Sequence, residues 1–275
     1  MVRRWFVPLA TFGLVFGSMI MAASAASAAP AAAPHAHPIV HARGFVPGGL
    51  MTRPSGVERV STVGGRTTAE STNWSGYAVN GSNGEYSSVS ASWTQPTATC
   101  TSRGDLYAAF WVGLDGYASD SVEQTGSDSD CVGRTPSYYG WYEMYPANPV
   151  YFSNTVKPGD AMSASVTFSG TETYTLVLKD TTQGWTQTIT KNQTGLDRSS
   201  AEVITEAPCC TGSGGILPLA NFGTINYTAS TDNGSSMGGQ SPVQIIMINN
   251  SGADKDSTSS ISSGGNFSNT WIRSN

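Results

Sequence analysis

Asp160-Ala-Met-Ser-Ala-Ser-Val-Thr-Phe168 alternates apolar and small polar side chains with a period of two. Met162, Ala164, Val166 and Phe168 fall on one face of an extended chain, Ser163, Ser165 and Thr167 on the other, as in a half-buried β-strand. The pattern continues on both sides. Residues 174–178 and 185–190 flank an Asp-Thr-Thr-Gln-Gly turn and read as a hairpin. Residues 243–248 form a near-continuous apolar run, expected to be a strand covered on both faces. Further strands are expected at 86–94, 108–114, 138–145, 199–206 and 267–272. Helical periodicity is nearly absent, and Gly, Asn, Asp and Ser clusters separate the runs. The expected fold is all-β, an antiparallel sandwich of two packed sheets built by residues 71–275 as a single domain.

The chain ahead of that domain has a different character. Arg3 and Arg4 precede an apolar run from Trp5 to Ala23, and small residues lead to an Ala-x-Ala exit near Ala28. Residues 1–28 therefore read as a secretion signal, and the protein is expected to be secreted and extracellular. An uncleaved membrane anchor is the competing reading; the small-residue exit and the Pro/Ala-rich segment behind it favour cleavage. Residues 29–70 are rich in Ala, Pro, Gly, His and Arg with little periodicity, and read as a largely unstructured pro-segment. Residues 1–70 hold six basic residues against two acids, a net of +4, whereas residues 71–275 hold eight against seventeen, a net of −9. A cationic, His-bearing segment can cover an acidic cleft and loosen as carboxylates protonate, so the chain reads as a zymogen inhibited by its own pro-segment.

All three histidines, His35, His37 and His41, lie in that leader. The folded domain must run its chemistry without imidazole. Four cysteines suit an oxidising compartment, and Cys100 with Cys131 is the expected disulfide, since adjacent cysteines bridge only with backbone strain. Cys209 and Cys210 are then a vicinal pair or free thiols. With no C-x-x-C pair and no histidine in the domain, neither a metal nor a cofactor is expected. Gly234-Ser-Ser-Met-Gly238 fits the G-x-S-x-G pattern, but it sits in a Gly/Ser/Asn-rich loop without a following helix or a histidine base. Asp115-Gly116 and Asp128-Ser129-Asp130 do not supply the paired loops of an aspartic protease. The basic, aromatic-laced surface of a nucleic-acid binder is missing.

Carboxyls and amides remain. In a strand, Trp141, Glu143 and Tyr145 point together, with Tyr142 and Met144 opposite; Glu123 and Gln124 oppose each other; and Ser200 and Ile204 share the face of Glu202. The series Asn73-Trp74-Ser75-Gly76, Trp111-Val112-Gly113-Leu114-Asp115-Gly116, Gln124-Thr125-Gly126 with Asp128, Trp141-Tyr142-Glu143-Met144-Tyr145 and Ala201-Glu202 resembles the glutamic peptidases, or eqolisins, in order along about residues 71–250. The resemblance implies two curved antiparallel sheets of the lectin-like jelly-roll kind with a substrate cleft on the concave face. It also implies a metal-independent endopeptidase of acidic conditions acting on polypeptides. Gln124 and Glu202 match the family's catalytic pair, and Trp74, Trp111, Asp115, Asp128, Trp141, Glu143 and Tyr145 fall where the family lines its cleft. Pro208-Cys209-Cys210 and the cysteine positions depart from fungal members, which bears on subsite preference rather than on the dyad.

The implied chemistry is coherent. An ionised Glu202 takes a proton from water and returns it to the leaving amine. The Gln124 side-chain NH2 donates to the tetrahedral oxygen, a contact worth roughly 3–4 kcal/mol of barrier. Asp115, Asp128 and Glu143 are also placed to shift the glutamate as like charges. Two other readings compete. A glycoside hydrolase would use Glu143 and Glu202 as acid and nucleophile, with tryptophans stacking on sugars. A secreted carbohydrate-binding module would need only exposed aromatics. Gln124 is indispensable to the peptidase alone. No membrane association is expected after signal removal, and a monomer is expected.

Overall fold

The computed structural model describes residues 60–63, 65–101, 104–117, 119–209 and 215–275. Their strands in chain order are β1 (Val60–Val63), β2 (Arg66–Ser71), β3 (Trp74–Asn80), β4 (Ser88–Thr94), β5 (Ala109–Leu114), β6 (Val122–Val132), β7 (Thr135–Tyr145) and β8 (Val150–Tyr151). There follow β9 (Ala161–Phe168), β10 (Thr173–Asp180), β11 (Trp185–Asn192), β12 (Ser200–Glu206), β13 (Thr224–Asp232), β14 (Ser235–Ser236), β15 (Val243–Met247), β16 (Asp256–Thr258) and β17 (Phe267–Trp271). A 3-10 turn at Met237–Gly239 is the only helical element among the described residues.

Two sheets result. One runs β1-β2-β15-β3-β12-β5-β6-β7-β8, the other β11-β10-β9-β4-β13-β17-β16 with β14 beside β13. The alternating stretch at β9 pairs with β10 and β4, its apolar face turned inward. The hairpin forms as read, Asp180 opposite Trp185. Between the sheets lie Phe110, Val112, Leu114, Val203, Met162, Val166, Leu176, Leu178, Phe222 and Tyr227, all buried. Burying each of the larger side chains is worth about 1.5–3 kcal/mol.

Three features differ from the sequence reading. The sheet begins upstream of residue 71: β1 and β2 lie within the segment expected to be unstructured, and Ala69 is fully buried opposite Ile245. Residues 66–71 join because alternate side chains of Arg-Thr-Thr-Ala-Glu-Ser pack inward once β15 offers them an edge. Expectations for residues 1–59 and for Cys210 fall outside the described residues. The pairing of β2 with β15 is parallel, whereas the other strand pairs are antiparallel; an isolated bridge between Tyr107 and Leu219 is also parallel.

The third difference is β6, eleven residues rich in Gly, Ser and Asp, types with little strand preference. Tertiary partners override propensity. The Ser127 hydroxyl donates to Gln95 Oε1 at 2.6 Å, Gln95 Nε2 donates to Ser129 Oγ at 2.9 Å, and the Ala108 amide donates to Asp130 Oδ1 at 3.1 Å. The Cys100–Cys131 disulfide ties down the strand's far end, as expected. Cys209 is also disulfide-bonded.

Candidate active site

Strands β3, β12, β5, β6 and β7 are consecutive neighbours, and their register sets three rows of side chains across the outer face of the nine-stranded sheet. The first row is Ala78, Glu202, Gly113, Gln124 and Glu143. The second is Gly76, Ile204, Trp111, Gly126, Trp141 and, on β8, Tyr151. The third is Trp74, Glu206, Ala109, Asp128 and Tyr139. Residues in register share a face of the sheet. This face is the one turned away from the inter-sheet core, because Leu114, Ala201 and Val203 fill the interior.

Glu202 and Gln124 are thus brought together from positions far apart in the chain, with Gly113 between them. Two strand spacings put their Cα atoms about 10 Å apart. The intervening glycine leaves that space without a side chain of its own. A β-carbon there would lie 2.8 Å from Cζ3 of Trp111, 3.0 Å from Cγ1 of Val122 and 3.3 Å from Cβ of Gln124.

Hydrogen bonds orient the surrounding groups. Gln124 Nε2 donates to Glu143 Oε2 at 2.6 Å. Trp141 Nε1 donates to Asp128 Oδ1 at 2.6 Å, and Trp111 Nε1 donates to Glu206 Oε2 at 2.9 Å. Both indoles therefore aim their N–H at carboxyls of the third row. Trp74 meets Trp111 edge-on, with ring centroids 4.8 Å apart. Tyr145, half-buried, stands opposite Val122, one step beyond Glu143.

Asp115 is placed differently. It follows β5 at φ +67°, and its carboxylate accepts the backbone N–H of Arg198 at 2.7 Å and of Ser199 at 2.8 Å. It clamps the start of β12, and bears on Glu202 by position and by charge. The cis peptide Tyr145–Pro146 closes β7.

The acids on this face favour their neutral forms. Burial raises Glu202 well above the usual carboxylate range, and the Asp115 charge adds to it. The Ser200 hydroxyl and the Tyr117 amide oppose the shift, yet neither closes a hydrogen bond to either oxygen. Glu143 is pushed up to about 9 by burial and by the Glu206 charge, against the bond from Gln124. Asp128 is raised by burial and by Asp130, against the bond from Trp141. On the other side of the sheet, Glu123 is likewise raised to about 9, chiefly by burial and then by Asp115. Among the described residues no three His, Cys, Asp or Glu side chains gather as a metal site.

Glu206 and the three glycines of the rows were given no role in the sequence reading. Glu206 had a signal: it lies four residues beyond Glu202 in one strand, so period two puts both on one face.

Residues 72–271 match the Peptidase A4 family. The chain belongs to that family. Scytalido-glutamic peptidase, solved with a peptide-based transition-state analogue, shares 27% identity at TM-score 0.62, covering 73% of this chain and 98% of that one. SCP-B, an eqolisin solved with the tripeptide Ala-Ile-His, shares 25% at TM-score 0.59, covering 73% and 98%. Aspergilloglutamic peptidase from Aspergillus niger shares 27% at TM-score 0.52, covering 61% and 99%. Comparison with curated proteins found no match. The protein is a glutamic endopeptidase on the eqolisin sandwich. The family match sets aside the glycosidase reading.

Proposed function

We propose that the protein is a secreted acid endopeptidase in which Glu202 activates water and Gln124 stabilises the oxyanion. The observation that carries this reading is the shared row: Glu202 and Gln124 flank a residue that has no side chain. One N–H of the Gln124 amide is engaged by Glu143, which helps to fix the amide plane. A peptide carbonyl held over Gly113 would meet the donor on one side and a Glu202-bound water on the other. Burial raises Glu202, and the base role requires its ionised form, so contact with the reacting water must offset part of that burial cost.

Acidic conditions suit the rest of the face. Glu143 and Asp128 stay neutral there, so the ionising Glu202 meets less like-charge repulsion than it would if all were charged. Extended polypeptide is the proposed substrate, with Trp74, Trp111, Trp141 and Tyr145 offering apolar contact. The cationic leader, with His35, His37 and His41, is proposed to cover this acidic face until carboxylates protonate.

The test is digestion of a denatured protein at pH 3–5 by wild type, Gln124→Ala and Glu202→Gln, with fragments identified and chelator present or absent. Wild type cleaves with or without chelator, and both variants fold but lose turnover. A Gln124→Ala enzyme of near-normal rate removes the oxyanion role, and cleavage confined to neutral pH removes the acid reading. Protein made without the leader should be poorly folded, or active without an acid step; unchanged yield and activation would end the covering role.

A further inference from the structure

We infer that Glu206 is a positioning residue of the active site: it sets the tilt of Trp111 so that the far edge of that indole floors the gap between Glu202 and Gln124. This rests on the Glu202–Gln124 reading of the dyad and adds to it a residue outside the motifs that mark the family resemblance.

The geometry runs from row to row. Trp111 stands in the middle row, between the dyad row and the row that holds Glu206. Nε1 and Cζ3 lie on opposite sides of an indole. Glu206 Oε2 draws Nε1 toward the third row at 2.9 Å, and Cζ3 is then the atom 2.8 Å from where a Gly113 β-carbon would sit. Three contacts hold that tilt. Asn73 Nδ2 donates to Glu206 Oε1 at 3.3 Å, fixing the carboxylate from its other oxygen. Trp74 packs edge-on against Trp111. Gly126, on the other flank, admits the indole because any β-carbon there would lie 2.6 Å from the Trp111 β-carbon.

Glu206 is fully buried, and so is Trp111. An indole N–H deprived of its acceptor at such a site is left without water to replace it, so the ring must turn to find another partner. Turning moves Cζ3 out of the floor and into, or away from, the space where the scissile carbonyl would rest. The Glu206 charge also bears on Glu143, the acceptor of the Gln124 amide, so one carboxylate touches both halves of the dyad indirectly.

The experiment measures kcat and KM on a peptide substrate for wild type, Glu206→Gln, Glu206→Asp, Glu206→Leu, Trp111→Phe and the double variant Trp111→Phe/Glu206→Leu, with near-UV circular dichroism of each. Glu206→Gln keeps an acceptor for the indole and retains most of kcat. Glu206→Leu loses about 100-fold in kcat, the order a 1 Å misplacement costs, with KM nearly unchanged and an altered tryptophan dichroic band. In the Trp111→Phe background, Glu206→Leu adds little further loss, because phenylalanine has no N–H to satisfy. Should Glu206→Leu fail to fold, Glu206→Asp, which withdraws the carboxylate by one methylene, carries the test with an intermediate loss of kcat and the same dichroic change. Losses that multiply in the double variant, a Glu206→Gln as inactive as Glu206→Leu, or a Glu206→Asp indistinguishable from wild type would each overturn the role. Failure of the dyad itself shows separately, as a Glu202→Gln enzyme that still turns over.

Discussion

Gln124 donates its side-chain amide to Glu143 at 2.6 Å, from directly opposite positions on β6 and β7. An amide can present either its NH2 or its oxygen to a substrate; the acceptor at Glu143 selects which. The second oxygen of Glu143 has no partner among the described residues, so Gln124 holds the only hydrogen bond on that carboxyl.

Replacing Glu143 with leucine should therefore leave the fold but free the amide to rotate, lowering kcat by about 10- to 100-fold. Glu143→Gln, which keeps an acceptor oxygen, should fall between the two. Steady-state kinetics on a peptide substrate, with melting temperatures alongside, check the order.

Gly113→Ala tests the gap. Its methyl would press on Cζ3 of Trp111 at 2.8 Å and on Val122 at 3.0 Å. Overpacking of this kind costs about 1–3 kcal/mol, and the added atom would stand between Glu202 and Gln124. Turnover should fall far more than the melting temperature does.

Stability should decline as pH rises. Glu123 and Glu143 are both raised from 4.5 to about 9, and Asp256 is raised from 3.8 to about 7, in each case chiefly by burial. A folded state that retains protons the unfolded chain has released is stable below the unfolded value and weakens through the interval up to the folded one. The window runs from about pH 4 to 9. Lys255, lowered from 10.5 to about 8, is charged in both states below that value and leaves the acid side of the window unchanged. Glu123→Gln should raise the melting temperature at pH 7 and barely change it at pH 3, a contrast read by calorimetry. Equal gains at both pH values would contradict the burial argument.

Asp115→Ala should unfasten the start of β12, because the Arg198 and Ser199 amides lose their acceptor. The stability cost is about 1–3 kcal/mol. Loss of a negative charge that raises Glu202 should also move the acid limb of kcat/KM to lower pH.

Much of this molecule was legible before any coordinates. Period-two alternation marked β9, β10 and β11, because Ser and Thr on one face and Met, Val and Leu on the other leave little choice of exposure. β6 was not legible as a strand, because what makes Ser127, Ser129 and Asp130 extend is a set of partners on β4, in the loop after it and just ahead of β5, none of them near in sequence. β2 was hidden for a related reason: its neighbour β15 lies more than 170 residues away. At the site, motif resemblance singled out Gln124 and Glu202, which the register places in one row, but not Glu206, whose meaning depends on which indole it meets. Asp115 shows the reverse case. It was expected in the cleft lining, and the φ of +67° at the end of β5 turns its carboxylate to the backbone instead.

The proposed dyad owes its assembly to strand pairing: β5 stands between the strands that carry Glu202 and Gln124. A slip of one residue between β5 and either neighbour would send one partner to the opposite side of the sheet. The same slip would turn core side chains such as Val112 and Leu114 away from the interior. On the proposed dyad, peptide cleavage therefore depends on the register of both ladders at once, and is gained or lost with the native pairing.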